Sequence, residues 1–390
     1  MKTARADSPP PQPNPQAPTR ARRERQRQWA AAALWSLQGV GPITLAQARE
    51  VLGDLAAVLD EPISTWVDRV KWHGDEGRRQ LARYRTLRGR AEWLFETCRA
   101  RAMHVLFPRS PGWPDRLPPS VAPPVLFARG AVDRVPAARS VAIVGSRRTH
   151  PDRLAQCRAI AAEAASVGLR IVSGAAIGID TAAHSGALSV KGHTIAFMGS
   201  ALDELDEAPR QVAAAIVGGG GVAYSQFPPG FRPSRSSFRL RNKLIAGSAD
   251  ATLVCAAQKD SGALYTANDA KDLGRPVLVT LADPGDAGSI GGLELLRDFA
   301  RPHLSLYDLL HAVGLSGAMA SGATQASAVD LATLSAPARR VLEALALGSA
   351  DFEALGGVLD LGSGQLSAAL LELEVVGAVV QKGGRRYEKR

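Results

Sequence analysis

The sequence predicts an α/β protein. Its main body is a doubly wound, mostly parallel sheet, with a helical domain before it and a winged helix after it. Three observations predict this. Short apolar runs recur between residues 141 and 281, each followed by a helical pattern. Those runs, among them "TIAFMG", "ATLVCAA" and "PVLVTLA", are apolar throughout rather than alternating, as in strands covered on both faces. Near the carboxyl end, three helical segments precede two strand-like segments.

In chain order, residues 1–28 are rich in proline and lack apolar periodicity. Lys2, Arg5, Arg20, Arg22, Arg23, Arg25 and Arg27 face only Asp7 and Glu24, so this segment holds half of the net charge of +10. It is expected to be a disordered basic arm, read either as a non-specific DNA tether or as a solvated tail. Residues 29–104 form a helical domain, in which "WAAAALWSLQGVGPITLAQAREVLG" reads as two helices joined at Gly39-Val40-Gly41-Pro42. Such a turn resembles a helix-hairpin-helix element and can offer backbone N–H groups to a phosphate; an ordinary helical hairpin fits equally.

Residues 105–312 hold the sheet. Strands are expected at 141–144, 170–173, 193–198, 222–226, 251–256 and 276–281. Helices are expected at 151–167, 179–190, 208–217, 240–249 and 262–273. Alternation of this kind gives a parallel, doubly wound sheet. Residues 313–332, "VGLSGAMASGATQASAVDLA", read as a flexible linker. Residues 333–390 make the winged helix, with its wing turning at Gly383-Gly384 and carrying Lys382, Arg385, Arg386, Lys389 and Arg390. The third helix, "QLSAALLELE", has no side chain suited to reading bases. Any DNA contact would therefore come from the wing, and a protein-binding role fits as well.

Composition narrows the class. No apolar run reaches the length of a membrane span, and "MKTARADSPPPQ" is not a signal peptide. Cys98, Cys157 and Cys255 have neither metal-ligand nor disulfide-framework spacing, so a cytoplasmic protein is expected. A pI of about 9.9 suits a polyanionic partner.

Ligands of open α/β sheets bind beyond the carboxyl ends of the strands. Four of those ends carry small or polar pairs: Gly145-Ser146, Ser173-Gly174, Gly199-Ser200 and Ser225-Gln226. They suggest a phosphate-sized pocket. The stretch "YSQFPPGFRPSRSSFRLRNK" adds Arg232, Arg235, Arg239, Arg241 and Lys243 with no acidic residue, interleaved with Tyr224, Phe227, Phe231 and Phe238. Cations that track phosphates and rings that stack on unpaired bases suit single-stranded nucleic acid. Asp180 and His184 share one helix face and are expected to be structural, Asp180 as a cap and His184 packed on a strand. There is no P-loop, so no NTPase is expected. Neither a metal nor a cofactor is expected.

The segment 108–310 resembles the DprA/Smf family of DNA-processing proteins of natural transformation. The resemblance rests on "VAIVGSRR", "IVSG…GIDTAAHSGAL", "GHTIAFMGSALD", "FPPG", "RNKLIAGSADATLV", "SGALYTANDAKDLGRPV" and "GSIGGLELL", in that order. It implies a Rossmann-like domain that binds single-stranded DNA in a basic pocket, forms a homodimer and helps load the RecA recombinase. It also assigns residues. Gly145, Ser146 and Arg147 match the family's Gly-Ser-Arg, with Arg148 beside them. Ser173, Gly174, Gly178, Asp180 and His184 match its second segment. Arg241, Asn242 and Lys243 match an Arg-Asn-basic element at a helix start, with Arg239 just before it. Ser261, Gly262 and Thr266 match the last element. The sequence departs from the family at Ala175-Ala176-Ile177, where an arginine is usual, and at Ala256, where a glutamate is usual. It also departs in "LDELDEAPR", where Arg210 stands near a position that tends to be basic. Two other readings have a counterpart in the sequence. A divergent sensor of a nucleotide or phosphate-bearing ligand would use the same pocket. A nucleotide N-glycosidase would need a glutamate soon after Gly218–Gly221, and the next one is Glu294.

Overall fold

The computed structural model describes residues 19–37, 39–70, 75–282, 286–315, 334–346, 350–375, 378–382 and 386–389. The chain divides into two units, residues 1–313 and 314–390.

The first unit is built on strands β1 (His104–Leu106), β2 (Leu126–Gly130), β3 (Ser140–Gly145), β4 (Arg170–Ser173), β5 (Thr194–Met198), β6 (Val222–Ser225), β7 (Ala251–Ala256), β8 (Val277–Thr280) and β9 (Arg301–His303). They form one sheet in the order β1-β2-β6-β5-β4-β3-β7-β8-β9. From β6 through β9 every neighbouring pair is parallel, while β2 runs antiparallel to β6 and β1 antiparallel to β2. The chain winds outward from β3 to β6, then returns to place β7 on the other side of β3. The gap between the ends of β3 and β7 is therefore the topological switch point, where doubly wound sheets bind ligands.

The six strands expected from apolar runs are β3 to β8. The three further strands were not legible as runs. β1 and β9 span three residues each, and β9 is an edge strand with a proline at its centre, a place where proline is tolerated. β2, "LFARG", ends on a glycine with φ of 118°. A Cβ there would fall 3.2 Å from Val222 Cα, so only glycine lets β2 lie against β6.

Helices cover both faces: α1 (Arg20–Trp35), α2 (Pro42–Leu52), α3 (Leu55–Val58), α4 (Asp75–Leu81), α5 (Leu87–Ala100), α6 (Pro151–Ser166), α7 (Ile179–Ser189), α8 (Glu207–Gly218), α9 (Arg235–Gly247), α10 (Gly262–Asp272), α11 (Ile290–Asp298) and α12 (Leu306–Ala312). Strand periodicity sorts the core into two. Ile195, Phe197, Val222 and Tyr224 face α9 and α10. The alternate residues Ala196, Met198 and Ala223 share a second core with the N-terminal helical segment, which supplies Leu34, Trp66, Leu87 and Leu94. The helical segment thus lies in one unit with the sheet and shares its core.

Two departures from the sequence reading concern helix starts. Residues 20–28, expected as part of the arm, are helical. Thr19 caps α1 by accepting from Arg22 N, and Arg27 forks onto Asp54 at 2.8 and 2.9 Å. Arginine is a good helix former, and these partners replace the tertiary contacts that a polar segment otherwise lacks. Residues 1–18 lie outside the described residues, as does nearly all of the expected linker. The second departure, at α9, shapes the site below.

The second unit contains α13 (Ala336–Leu345), β10 (Ala350–Asp351), α14 (Phe352–Leu359), α15 (Ser363–Val375), β11 (Val379–Lys382) and β12 (Arg386–Lys389). Its sheet has the order β10-β12-β11, all antiparallel, and its core gathers Val341, Leu345, Leu355, Leu366, Leu370 and Tyr387. Three helices and a short sheet form a winged helix. Its expected turn at Gly383-Gly384, with Arg385 and Arg390, lies outside the described residues.

Candidate nucleic-acid interface

The start of α9 organises the site. Ser234 caps the helix in a capping box, accepting from Ser237 N (3.1 Å) while Ser237 Oγ accepts from Ser234 N (2.9 Å). The expected start was residue 240, and the cap moves it back to Arg235. Arg241 consequently sits in the second turn rather than opening the helix, and it points inward.

Arg241 is buried, 4% exposed. Its Nη1 donates to the carbonyl oxygens of Phe197 (2.6 Å) and Gly174, at the carboxyl ends of β5 and β4. Burial pulls its pKa down to about 10, so it remains a cation at neutral pH. Asp180, also buried, is its counter-charge. Burial pushes the Asp180 carboxyl up, against the pull of Arg241 and of the N–H groups of Ala176 and Gly174. The N-cap of α7 is Gly178, with no side-chain cap, so the capping role expected of Asp180 is not what its carboxylate does. His184 packs on β5. Thr194 Oγ1 donates to Ile171 O (3.0 Å), so His184 Nδ1 must donate to Thr194 Oγ1 (2.7 Å). Desolvation pulls the imidazole pKa down to about 3 and keeps it neutral.

Above this buried base lies a pocket of about 280 Å³ at the switch point. It brings together Gly145, Arg147, Asp180, Arg239, Arg241, Asn242, Ser261, Gly262 and Thr266 from the residues expected in the site. Arg147 stands over the Phe238 ring at 5.1 Å and has no ion pair among the described residues; Arg241 approaches the same ring at 5.6 Å. Arg239 stacks on Tyr265 at 4.3 Å and pairs with Asp269 at 2.7 Å. Burial pushes the Asp269 carboxyl up, and Arg239 opposes it. Ser261 caps α10, and a Cβ at the adjoining Gly262 would meet nothing within 4 Å, so the start of this helix is open to the pocket.

Of the remaining expected residues none lines the pocket, and Gly145, which does, is held by packing. The Ser146 N–H is taken by Ala256 O (2.8 Å) and Ser173 Oγ by Ile143 O (2.6 Å). Gly145 is packed on Ile179, where an added Cβ would fall 2.6 Å away. Gly178 has φ of 99°, and a Cβ there would lie 2.5 Å from Ser146 O. The small residues at the strand ends therefore let strands and helices close on one another, rather than leaving amides free for an anion. Arg148 and Lys243 are exposed outside the lining, and Ile177 is 63% exposed. Arg210 pairs with Glu207 on the surface of α8 and does not reach the pocket. Arg235 and Phe238, read from the sequence only as part of the basic and aromatic stretch, also line the pocket, and the reading missed Tyr265. Tyr265 is signalled only by its place one turn into a helix that follows a strand end.

Comparison with known proteins agrees with this architecture. The family model described as DNA recombination-mediator protein A matches residues 104–314, and that of the DprA winged helix domain matches residues 325–385. The chain is 30% identical to a Synechocystis protein named Smf, across 91% of this chain and 97% of the relative. It is 35% identical to a putative DNA processing protein DprA of Mycobacterium tuberculosis, across 68% of each. The crystal structure of DprA from Streptococcus pneumoniae superposes with a TM-score of 0.56 at 24% identity, covering 73% of this chain and 97% of that one. On the extent of these matches and the two-part architecture they share with it, the chain belongs to the DprA/Smf family of DNA-processing proteins.

Proposed function

We propose that this protein binds single-stranded DNA at the carboxyl edge of its sheet, with little preference for sequence. In that role it protects incoming strands and helps load the RecA recombinase during transformation. The observation that carries the binding reading is the pocket itself. Arg147, Arg235, Arg239 and Arg241 converge there with the rings of Phe238 and Tyr265, at the open start of α10. Guanidinium groups suit phosphates and rings suit unpaired bases, and neither reads a particular base. Family membership supports the DNA-processing role; the loading of RecA is the step added here.

Two further parts belong to the proposal. The protein acts as a homodimer. Leu281 and Leu304, 48% and 69% exposed, follow the paired ends of β8 and β9, and Tyr307 is 53% exposed beside them, an apolar edge suited to a second copy. The protein is a binder rather than an enzyme, and it works in the cytoplasm. Asp180, though it lines the pocket, is 7% exposed and serves as the counter-charge of Arg241. All three cysteines are free and buried.

The test is titration with oligo(dT), with duplex DNA of equal length and with free nucleotides, at several salt concentrations. Tight binding of oligo(dT) alone, weakened in Arg147→Ala, is the expected result. Equal or tighter binding of free nucleotides would favour a small-ligand sensor instead.

A further inference from the structure

The first turns of α9 separate two openings. One is the pocket above. The other is a groove of about 740 Å³ between the N-terminal helices and the loop that follows β6. Among the described residues no carboxylate lines it, while Arg83, Arg90 and Arg232 do. It is also rich in rings. Trp93 is 37% exposed, with the Arg90 guanidinium stacked 4.0 Å from its centroid. Arg90 is itself fixed by Ser36, donating to its hydroxyl (2.9 Å) and its carbonyl (2.7 Å), so the Trp93 face is held in place. Phe227 and Phe231 stack at 4.4 Å on the opposite wall.

Two more observations point to a ligand. Gln226, 7% exposed, lines the groove with an Nε2 amide that has no partner among the described residues. Its main-chain carbonyl is engaged by Trp35 Nε1 (2.7 Å), which anchors the residue and leaves the amide donors unanswered. A buried donor without a partner is costly, and an acceptor arriving in the groove would relieve that cost. The second is the turn Gly39-Val40-Gly41, which also lines the groove. It leads into α2, whose N-cap Gly41 supplies no side-chain cap, so the positive end of a helix faces the same space.

Arg232 lies 3.9 Å from Glu204, outside the lining, with its own side chain 88% exposed. Cations on a wall free of carboxylates, fixed rings, a free amide and a helix start are the parts that hold a strand of nucleotides. We infer that the groove is a second contact for the same single strand, which leaves the pocket past Arg235, crosses the capped start of α9 at Ser234 and enters the groove at Arg232. This rests on the reading of the pocket as a single-strand site. It adds the N-terminal helices to the DNA-binding surface and assigns Trp93 to stacking and Gln226 to hydrogen bonding with a base or phosphate.

The experiment compares oligo(dT) of about 6 and about 20 nucleotides, one near the lower end of single-strand site sizes and one beyond the upper end. It uses the full chain and the variants Arg147→Ala, Trp93→Ala, Trp93→Phe, Arg232→Glu and Gln226→Met, each checked by thermal melting. Arg232 and Trp93 are at the surface, and Gln226→Met keeps side-chain volume while removing the unanswered donor, so these variants should fold. Trp93→Ala and Arg232→Glu are expected to weaken the long oligonucleotide about ten-fold and leave the short one within about two-fold, with Trp93→Phe restoring most of the loss. Gln226→Met is expected to weaken the long oligonucleotide without lowering the melting temperature. If Arg147→Ala weakens both lengths and the groove variants weaken neither, or weaken both equally, the groove contact is overturned and the pocket stands. If neither length binds, or Arg147→Ala changes nothing, the pocket reading falls and this inference with it.

Discussion

The guanidinium of Arg241 occupies the space that a side chain on Gly174 would need: a Cβ built there falls 2.6 Å from Arg241 Cζ and 2.7 Å from Asp180 Oδ2. The glycine after β4 is therefore required by a buried cation–carboxylate pair, not by a ligand's approach. The pocket stands on this layer.

Replacing Gly174 by alanine should displace Arg241 from its two carbonyl acceptors. A loss of about 1–3 kcal/mol is expected, as for other overpacked sites, and denaturant unfolding would measure it. Single-strand affinity should fall as well, because Arg241 and Arg147 approach the same Phe238 ring.

Arg241→Ala and Arg147→Ala should separate stability from binding. Arg241→Ala leaves the Asp180 carboxyl buried without its counter-charge, and a stability loss of about 3–5 kcal/mol is expected in chemical denaturation. Arg147 is exposed and has no ion pair among the described residues, so Arg147→Ala should melt with the wild type. It should lower the slope of log K against log salt by about 0.7, one neutralised phosphate, with about 1–3 kcal/mol lost from binding. An Arg147→Ala protein with wild-type affinity and slope would refute the role of the pocket.

Stability should fall between pH 6.5 and pH 3. The folded protein holds His184 with a pKa of about 3, and the unfolded chain returns it to 6.5. Below pH 6.5 the unfolded state therefore binds a proton that the folded state refuses, and folding free energy decreases as pH falls. At pH 5 the cost from His184 is about 2 kcal/mol. His193, lowered to about 4 by burial, adds in the same direction over a narrower window. The Asp180 carboxyl, raised by burial, acts in the opposite sense. A His184→Gln variant removes the first contribution alone, and its melting temperature should decline less between pH 7 and pH 5 than that of the wild type.

Removal of the winged helix by ending the chain at Val313 should leave most of the single-strand affinity intact. Residues 1–313 form a unit with its own core, and both the pocket and the groove lie within it. Filter binding with oligo(dT) is a direct check. A hundred-fold loss, about 2.7 kcal/mol, would place the main contact on the wing instead.

The six strands β3 to β8, the helices between them and the winged helix were legible along the chain because their signals are local. An apolar run of a strand's length and a helical repeat are properties of neighbouring residues, and they survive whatever the fold does around them. Seven motifs in the right order likewise sufficed to identify the family. The basic and aromatic character of residues 224–243 was also plain.

What the chain could not show by itself was which of these residues meet. Arg147, Arg241 and Tyr265 share a pocket only because the strand order places β7 beside β3 and brings α9 and α10 to one edge. Whether an arginine is a surface cation or a buried tie depends on the turn of helix it occupies. Ser234 and Ser237 move that turn by capping α9 earlier than its apolar pattern suggests, and Arg241 is buried as a result. The strand-end amides that seemed open to an anion are closed by neighbours distant in sequence, as Ser146 is by Ala256. The groove beside α9 exists only because the N-terminal helices dock on the sheet face lined by Ala196, Met198 and Ala223. Burial and proximity are set by long-range packing, which a pattern of adjacent residues constrains without specifying.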